Sequence, residues 1–184
     1  MAQHKGRGSV IWQATMSLDG YIAAAGDDMS WVFQHIDPAD PGAAAVPERL
    51  GAVIAGRRSF EVGRRDGMEV FDGAWEGSQF LLTNRPADGL PGALGVRAGN
   101  IELIIQEAIT AARGRDVGII GANVAQQCLE AGLIDEIVVH VAPVLLGNGV
   151  RFRGAEGMRE LRLESAQTHE NVVTLHYTLE KETS

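Results

Sequence analysis

The segment Gly56-Arg57-Arg58-Ser59 puts two guanidinium groups and a hydroxyl directly behind the apolar run that starts at Ala52. Arg57 to Arg65 reads as a helical turn or two, so both arginines fall in its first turn. There they oppose the helix macrodipole, at a cost of ~0.3–1 kcal/mol each when exposed. An anion reverses the sign. Free backbone N–H groups, the dipole, two forked guanidiniums and the Ser59 hydroxyl then converge on one phosphate-sized volume. The bland alternative is that the arginines only solvate a helix end. Four of the 16 basic residues (Arg57, Arg58, Arg64, Arg65) cluster here in a chain of net charge -8, and only Lys5 and Lys181 are lysine.

Two further junctions carry related chemistry. Gln79 to Arg85 reads as a strand ending in Thr83, Asn84 and Arg85, which can hydrogen-bond a ribose or its phosphate or simply form a turn. In Ile119-Ile120-Gly121-Ala122-Asn123-Val124 a strand enters Gly121, whose missing Cβ admits a pyrophosphate, before a helix starting near Asn123. A tight strand-to-helix turn explains that glycine equally, and the pattern is not GxGxxG. Gly147 to Gly149 suits a hairpin turn. One phosphate site indicates an anion, whereas two or three at successive strand ends indicate a dinucleotide. The paired arginines then tell a 2'-phosphate from a hydroxyl, and NADPH is the natural candidate.

The elements that must position these residues alternate. Val10 to Met16, Ala52 to Gly56, Gln79 to Asn84, a short run at Leu94 to Ala98, Val117 to Gly121 and Ile134 to Ala142 read as strands. Asn100 caps a helix whose apolar residues Ile101, Ile104, Ile105, Ala108, Ile109 and Ala112 follow at helical spacing, with Gly114 as the stop. Ala122 to Gly132 reads as another helix. The last forty or so residues change to period-two alternation around a turn at His169 to Asn171, an antiparallel pair with one wet face. Strands alternating with helices and finishing in strands predict an α/β fold, a mainly parallel sheet with an antiparallel C-terminal edge. In such sheets ligands sit where strands end and helices begin.

Composition narrows the function classes. With 45% hydrophobic and 22% charged residues among 184, the chain reads as a single domain with an ordinary core. Its acidic balance and localised basic charge argue against nucleic-acid binding. No apolar run approaches the ~20 residues of a membrane helix. Residues 1–8 read as a frayed cytoplasmic start without a signal-peptide core. The lone Cys128 excludes an internal disulfide and any Cys-x-x-Cys site, fits a reducing compartment, and reads as a buried small hydrophobe. The five histidines lack ligand spacing, so no metal site is expected, and no nucleophile elbow, P-loop or Ser-His-Asp set occurs.

The order of motifs, Ala14 to Trp31 (ATMSLDGYIAAAGDDMSW), VIAGRRSFE, LLTNRP and IIGANVAQQCLEAGLIDEIVVHVAPVLLGNGVRF, resembles the dihydrofolate reductase superfamily. Within it the chain is most similar to the reductase domain of riboflavin-biosynthesis deaminase/reductases, from about Val10 to Leu179, which implies one such domain over residues 9–181. The resemblance implies a three-layer dihydrofolate reductase-like fold: a mostly parallel eight-stranded sheet with an antiparallel C-terminal edge and about four flanking helices. It implies NADPH, held at the 2'-phosphate and pyrophosphate by Gly56, Arg57, Arg58 and Ser59. Thr83, Asn84 and Arg85 then lie at the adenosine end, Gly121, Ala122, Asn123 and Val124 cradle the pyrophosphate, and residues 17–22 cover the nicotinamide. Ala122 stands where the family usually has a second glycine, and its methyl narrows the backbone approach.

Hydride transfer needs little from side chains beyond orientation, exclusion of water and a proton donor. Asp19 and Asp28 are the candidate catalytic groups, with Asp19 equally suited to a turn in SLDG. Trp31 and Asp37 are candidates for a planar-substrate pocket; Trp31 reads equally as a core anchor, and Asp27, Asp28, Asp37 and Asp40 as loop solvation. Asp135 and Glu136 read as structural or interface residues. The expected activity is reduction of a pteridine- or pyrimidine-like heterocycle, with a ribosylaminopyrimidine of riboflavin synthesis or dihydrofolate as substrates. The motifs of the deaminase half are absent, so deamination is not expected. The rival readings are an NADPH-binding protein without turnover and a structural domain whose arginines meet an acidic partner. A homodimer is the family habit.

Overall fold

The computed structural model describes residues 7–36, 45–67, 75–86, 90 and 95–179. In chain order these form β1 (Val10–Ser17), β2 (Tyr21–Ala23), a 3-10 turn (Ala25–Asp27), α1 (Ser30–Phe33), a second 3-10 turn (Pro47–Arg49), β3 (Leu50–Gly56) and α2 (Arg57–Arg65). There follow β4 (Ser78–Leu82), β5 (Gly95–Arg97), α3 (Ile101–Ala111), β6 (Asp116–Ile120), α4 (Ala122–Glu130), β7 (Glu136–Ala142), β8 (Val150–Arg151), β9 (Leu161–His169) and β10 (Val172–Leu179). Eight strands make one sheet in the order β5-β4-β3-β6-β1-β7-β10-β9. Every pairing from β5 to β7 is parallel, and β10 and β9 join antiparallel at the edge. The architecture is the mostly parallel α/β sheet with an antiparallel C-terminal edge that the order of elements predicts.

Central parallel strands are buried on both faces, which is why β3 and the start of β1, Val10 to Trp12, read as apolar runs rather than alternating ones. One face carries the main core: Trp12, Ile54, Ile119 and Val139 pack under Ile104, Ile105 and Ala108 of α3 and Val124, Ala125 and Cys128 of α4. Trp12 stacks on Phe152 with ring centroids 4.1 Å apart. The opposite face holds a smaller cluster of Ile11, Val46, Leu50, Val53 and Val138. Asn100 caps α3 as expected, its side chain accepting from the N–H of Glu102 at 2.7 Å and of Leu103 at 3.3 Å.

Three expectations need correction. Gly147 to Gly149 do not close a hairpin; they lead from β7 into β8, which pairs with β2 in a separate two-stranded sheet. Order reaches into the expected frayed start, because Arg7 donates to both Asp135 oxygens at 3.2 and 3.3 Å and the Ser9 N–H to Asp116 at 2.7 Å. On the edge strand β9, Leu161 and Leu163 stay 42% and 52% exposed instead of facing a core. Among the described residues no helix is long and apolar enough to cross a membrane.

Candidate active site

In the sheet β3 lies between β4 and β6, and all three run in the same direction. Their C-terminal ends therefore emerge side by side, and the three junctions, far apart in sequence, meet on one edge. An open cleft of about 1930 Å³ starts there and runs over the sheet. Gly56, Arg57, Arg58, Ser59, Thr83, Asn84, Arg85, Gly121, Ala122, Asn123 and Val124 all line it.

The geometry where β3 and β6 turn into helices depends on two glycines. Gly121 has φ 97 and ψ 140, a backbone reserved for glycine, and a Cβ there would collide with the Ser59 hydroxyl. At Gly56 a Cβ would stand 3.2 Å from Cγ2 of Val124. The starts of α2 and α4 thus lean on each other, each nine residues long and neither with a side-chain N-cap. Helix N-termini leave up to four N–H groups without an intrahelical partner, so two such sets adjoin at the cleft. Ala122 is the first helical residue of α4. Thr83 is buried and its hydroxyl accepts from the Arg85 N–H at 3.1 Å, making the local turn that presents Asn84 and Arg85.

The arginines have protein partners. Arg57 Nε donates to Glu61 at 2.7 Å, one turn on, and its Nη1 to the Pro86 carbonyl at 2.7 Å. That guanidinium holds the Glu61 carboxyl below its ordinary range. Arg58 grips both carboxylate oxygens of Asp27 at 2.8 and 2.7 Å, while 76% of its own side chain stays exposed. Arg65 pairs with Asp66 and also donates to the carbonyls of Gly26 and Asp27 at 3.1 and 3.2 Å. The macrodipole conflict at the start of α2 is thus partly offset from within.

Asp19, Asp28 and Trp31 do not line this cleft. The Asp19 carboxylate accepts from the Ser17 hydroxyl at 2.7 Å and from the N–H groups of Leu146 and Gly147 at 3.0 and 2.7 Å. The Ser17 bond first, joined by the amide bonds and opposed by partial desolvation, lowers its pKa to about 2. It is a clamp between the turn after β1 and the loop after β7, which is the turn reading. Asp28 accepts from the Ser30 N–H at 2.8 Å, and its bonds to Ser30 hold its carboxyl low. Trp31 is buried against Val32 and Ala142 as a core anchor. Asp37 and Asp40 lie outside the described residues.

The cleft is also lined by polar groups that composition and motif do not single out. Gln13, Thr15 and His140 border it. Gln13 Nε2 lies 2.8 Å from Nε2 of the buried His140, whose Nδ1 is 2.8 Å from the Thr174 hydroxyl across the β7–β10 pair. An amide nitrogen only donates, so His140 Nε2 accepts and Nδ1 carries the proton. The available signal was the alternation of Gln13, Thr15 and Ser17 along one face of an otherwise apolar strand. Elsewhere, burial pushes the Cys128 thiol up to about 12, consistent with a packing role. Among the described residues no group of three or more His, Cys, Asp or Glu could hold a metal ion.

The mostly parallel eight-stranded sheet with its antiparallel C-terminal edge puts the chain in the dihydrofolate reductase-like fold class. Within that class, residues 109–175 match the family model of the RibD C-terminal domain, the branch that the motifs resemble. Among solved structures, a protein of Shewanella sp. PV-4 described as a riboflavin biosynthesis protein is similar at 23% identity and TM-score 0.79, over 94% of this chain and 99% of that one. The deaminase/5-amino-6-(5-phosphoribosylamino)uracil reductase of Thermotoga maritima is 14% identical with TM-score 0.71, over 95% of this chain and 57% of that one. A dihydrofolate reductase from Enterococcus faecalis complexed with NADP(H) is 15% identical with TM-score 0.66, over 95% and 98% of the two chains. Among curated proteins no sequence matches.

Proposed function

We propose that the protein is an NADPH-dependent reductase of a pyrimidine- or pteridine-like heterocycle, of the 5-amino-6-(5-phosphoribosylamino)uracil reductase type. The observation that carries this is the meeting of three phosphate-competent strand ends in one cleft. The site fits the cofactor: two uncapped helix starts and the Ser59 hydroxyl suit a pyrophosphate, Arg57 and Arg58 suit a 2'-phosphate, and Asn84 and Arg85 suit the adenosine end. Ala122 leaves α4 its N–H groups while offering a narrower approach than glycine. When bound, the cofactor supplies the hydride. The chain's own work is to hold phosphates at one end, keep water off the face of the sheet, and present Gln13, Thr15 and His140 to the polar edge of a heterocycle. The similarity to the RibD C-terminal domain supports the pyrimidine substrate class. A buried lone thiol agrees with a reducing, cytoplasmic setting.

We propose that a second copy of the chain packs against β9 and β10, where Leu161 and Leu163 stand exposed opposite Leu179 and Tyr177, with Val173 exposed nearer the other end of the pair. Sedimentation checks this: a dimer is expected, and a monomer at all concentrations removes it.

Thermal denaturation with NADPH and NADH tests the cofactor reading. A ligand at 100 times its Kd stabilises by ~2.7 kcal/mol, so NADPH is expected to raise Tm well above NADH at equal concentration. Arg57→Ala with Arg58→Ala is expected to erase the difference, and equal shifts from the two cofactors in the unaltered protein refute the reading. Oxidation of NADPH that depends on an added ribosylaminopyrimidine separates a reductase from a protein that binds without turnover.

A further inference from the structure

The cleft is bordered on one side by the 3-10 turn after β2 and on the other by α2, and two arginines cross between them. Arg58 of α2 holds the Asp27 carboxylate with a two-pronged ion pair. Arg65, two turns further along the same helix face, holds the backbone carbonyls of Gly26 and Asp27. Asp27 itself sits at φ 60, a left-handed conformation that few residues other than glycine, asparagine and aspartate adopt readily. The carboxylate is thus held at a backbone position that only a short, self-bonding side chain tolerates well, and it neutralises an arginine at the phosphate end of the cleft.

We infer that Asp27 is an internal anion occupying the arginine subsite of the cofactor cleft, and that a 2'-phosphate must displace it from Arg58. This rests on the cofactor reading above and adds two consequences. Asp27 sets affinity at the 2'-position: a ligand that takes Arg58 must first displace it, whereas a ligand without a 2'-phosphate leaves the pair in place. It also couples the two ends of the site, because exchange of Arg58 from carboxylate to phosphate releases one of the two straps on residues 24–29. Both Asp27 and Arg58 line the cleft, so no rearrangement of the sheet is needed. An ion pair with so exposed an arginine is weak enough to be exchanged, and the displacement costs little affinity. Arg65 keeps its carbonyl contacts, so the loop loosens without leaving.

The test uses the full chain and two probes, adenosine 2',5'-bisphosphate and adenosine 5'-monophosphate, which differ at the 2'-position, with Kd measured by calorimetry. Asp27→Asn keeps the side-chain shape and the tolerance for positive φ while removing the charge. It is expected to tighten the bisphosphate about two- to fivefold and leave the monophosphate unchanged. In an Arg58→Ala background, a truncation at an exposed side chain, the same substitution is expected to change neither. Hydrogen exchange of residues 24–29 in the unaltered protein is expected to quicken with the bisphosphate and not with the monophosphate. Weakening of both ligands alike by Asp27→Asn, or the same gain with and without Arg58, overturns the inference while leaving the cofactor reading intact. If the unaltered protein binds the two probes equally, both fall together.

Discussion

Replacing Gly121 with alanine probes the junction on which the cleft depends. Two costs add at this position. The backbone at φ 97 and ψ 140 lies where non-glycine residues pay strain of ~1–3 kcal/mol. The new methyl also meets the Ser59 hydroxyl, which must leave its rotamer at ~0.5–1.5 kcal/mol. Together these predict a loss of ~1.5–4.5 kcal/mol. For a chain of this size each kcal/mol moves Tm by ~2–4 °C, so the fall is about 3–18 °C. Gly132, at φ 65 with nothing within 4 Å of a new Cβ, is the internal control. Its alanine variant carries only the left-handed cost of ~1–2 kcal/mol. Urea denaturation of Gly121→Ala, Gly132→Ala, Ser59→Ala and the Ser59→Ala/Gly121→Ala pair measures each part. The double variant is expected to recover the collision share. A Gly121→Ala variant no less stable than Gly132→Ala, or no coupling to Ser59, refutes the close approach of α2 and α4.

Three other outcomes follow from particular contacts. Asn100→Ala removes the cap of α3 and is expected to cost ~1 kcal/mol in chemical denaturation, with Asn100→Asp nearly neutral. Cys128 is expected to resist a thiol reagent in the native protein and to react at once in denaturant, since burial pushes its pKa up to about 12. The Asp19 clamp has a defined acid signature. Its folded pKa of about 2 lies below the ordinary 3.8, so its contribution is complete above about pH 4 and lost as pH falls towards 2. The stability gap between the unaltered protein and Asp19→Asn is therefore expected to close across that interval.

Sequence alone located the eight strands of the main sheet, the Asn100 helix and the three junctions, because each rests on local rules: buried runs, capping, and glycine before a helix; the short β2 and β8 were not read from it. It also supplied their meeting point indirectly, since strand ends of one parallel sheet share an edge. Partner choice was not legible. Glu61 is one turn from Arg57 and within reach of inspection, but the pairing of Arg58 with Asp27 spans a sequence separation of 31 and depends on how the loop after β2 lies. Asp19 and Trp31 were drawn to the substrate end by motif position, whereas the loop after β7 claims the first and a core cluster the second. His140 was passed over because a single polar residue inside Ile137 to Ala142 looks like an interruption until β1 and β10 place Gln13 and Thr174 on either side of it.

Amide hydrogen exchange with and without NADPH tests the shared cradle most directly. The account predicts that one ligand slows exchange together at residues 56–59, 83–85 and 121–124, with less protection from NADH at 57–58. Protection confined to one of these segments, or absent from all three, contradicts it.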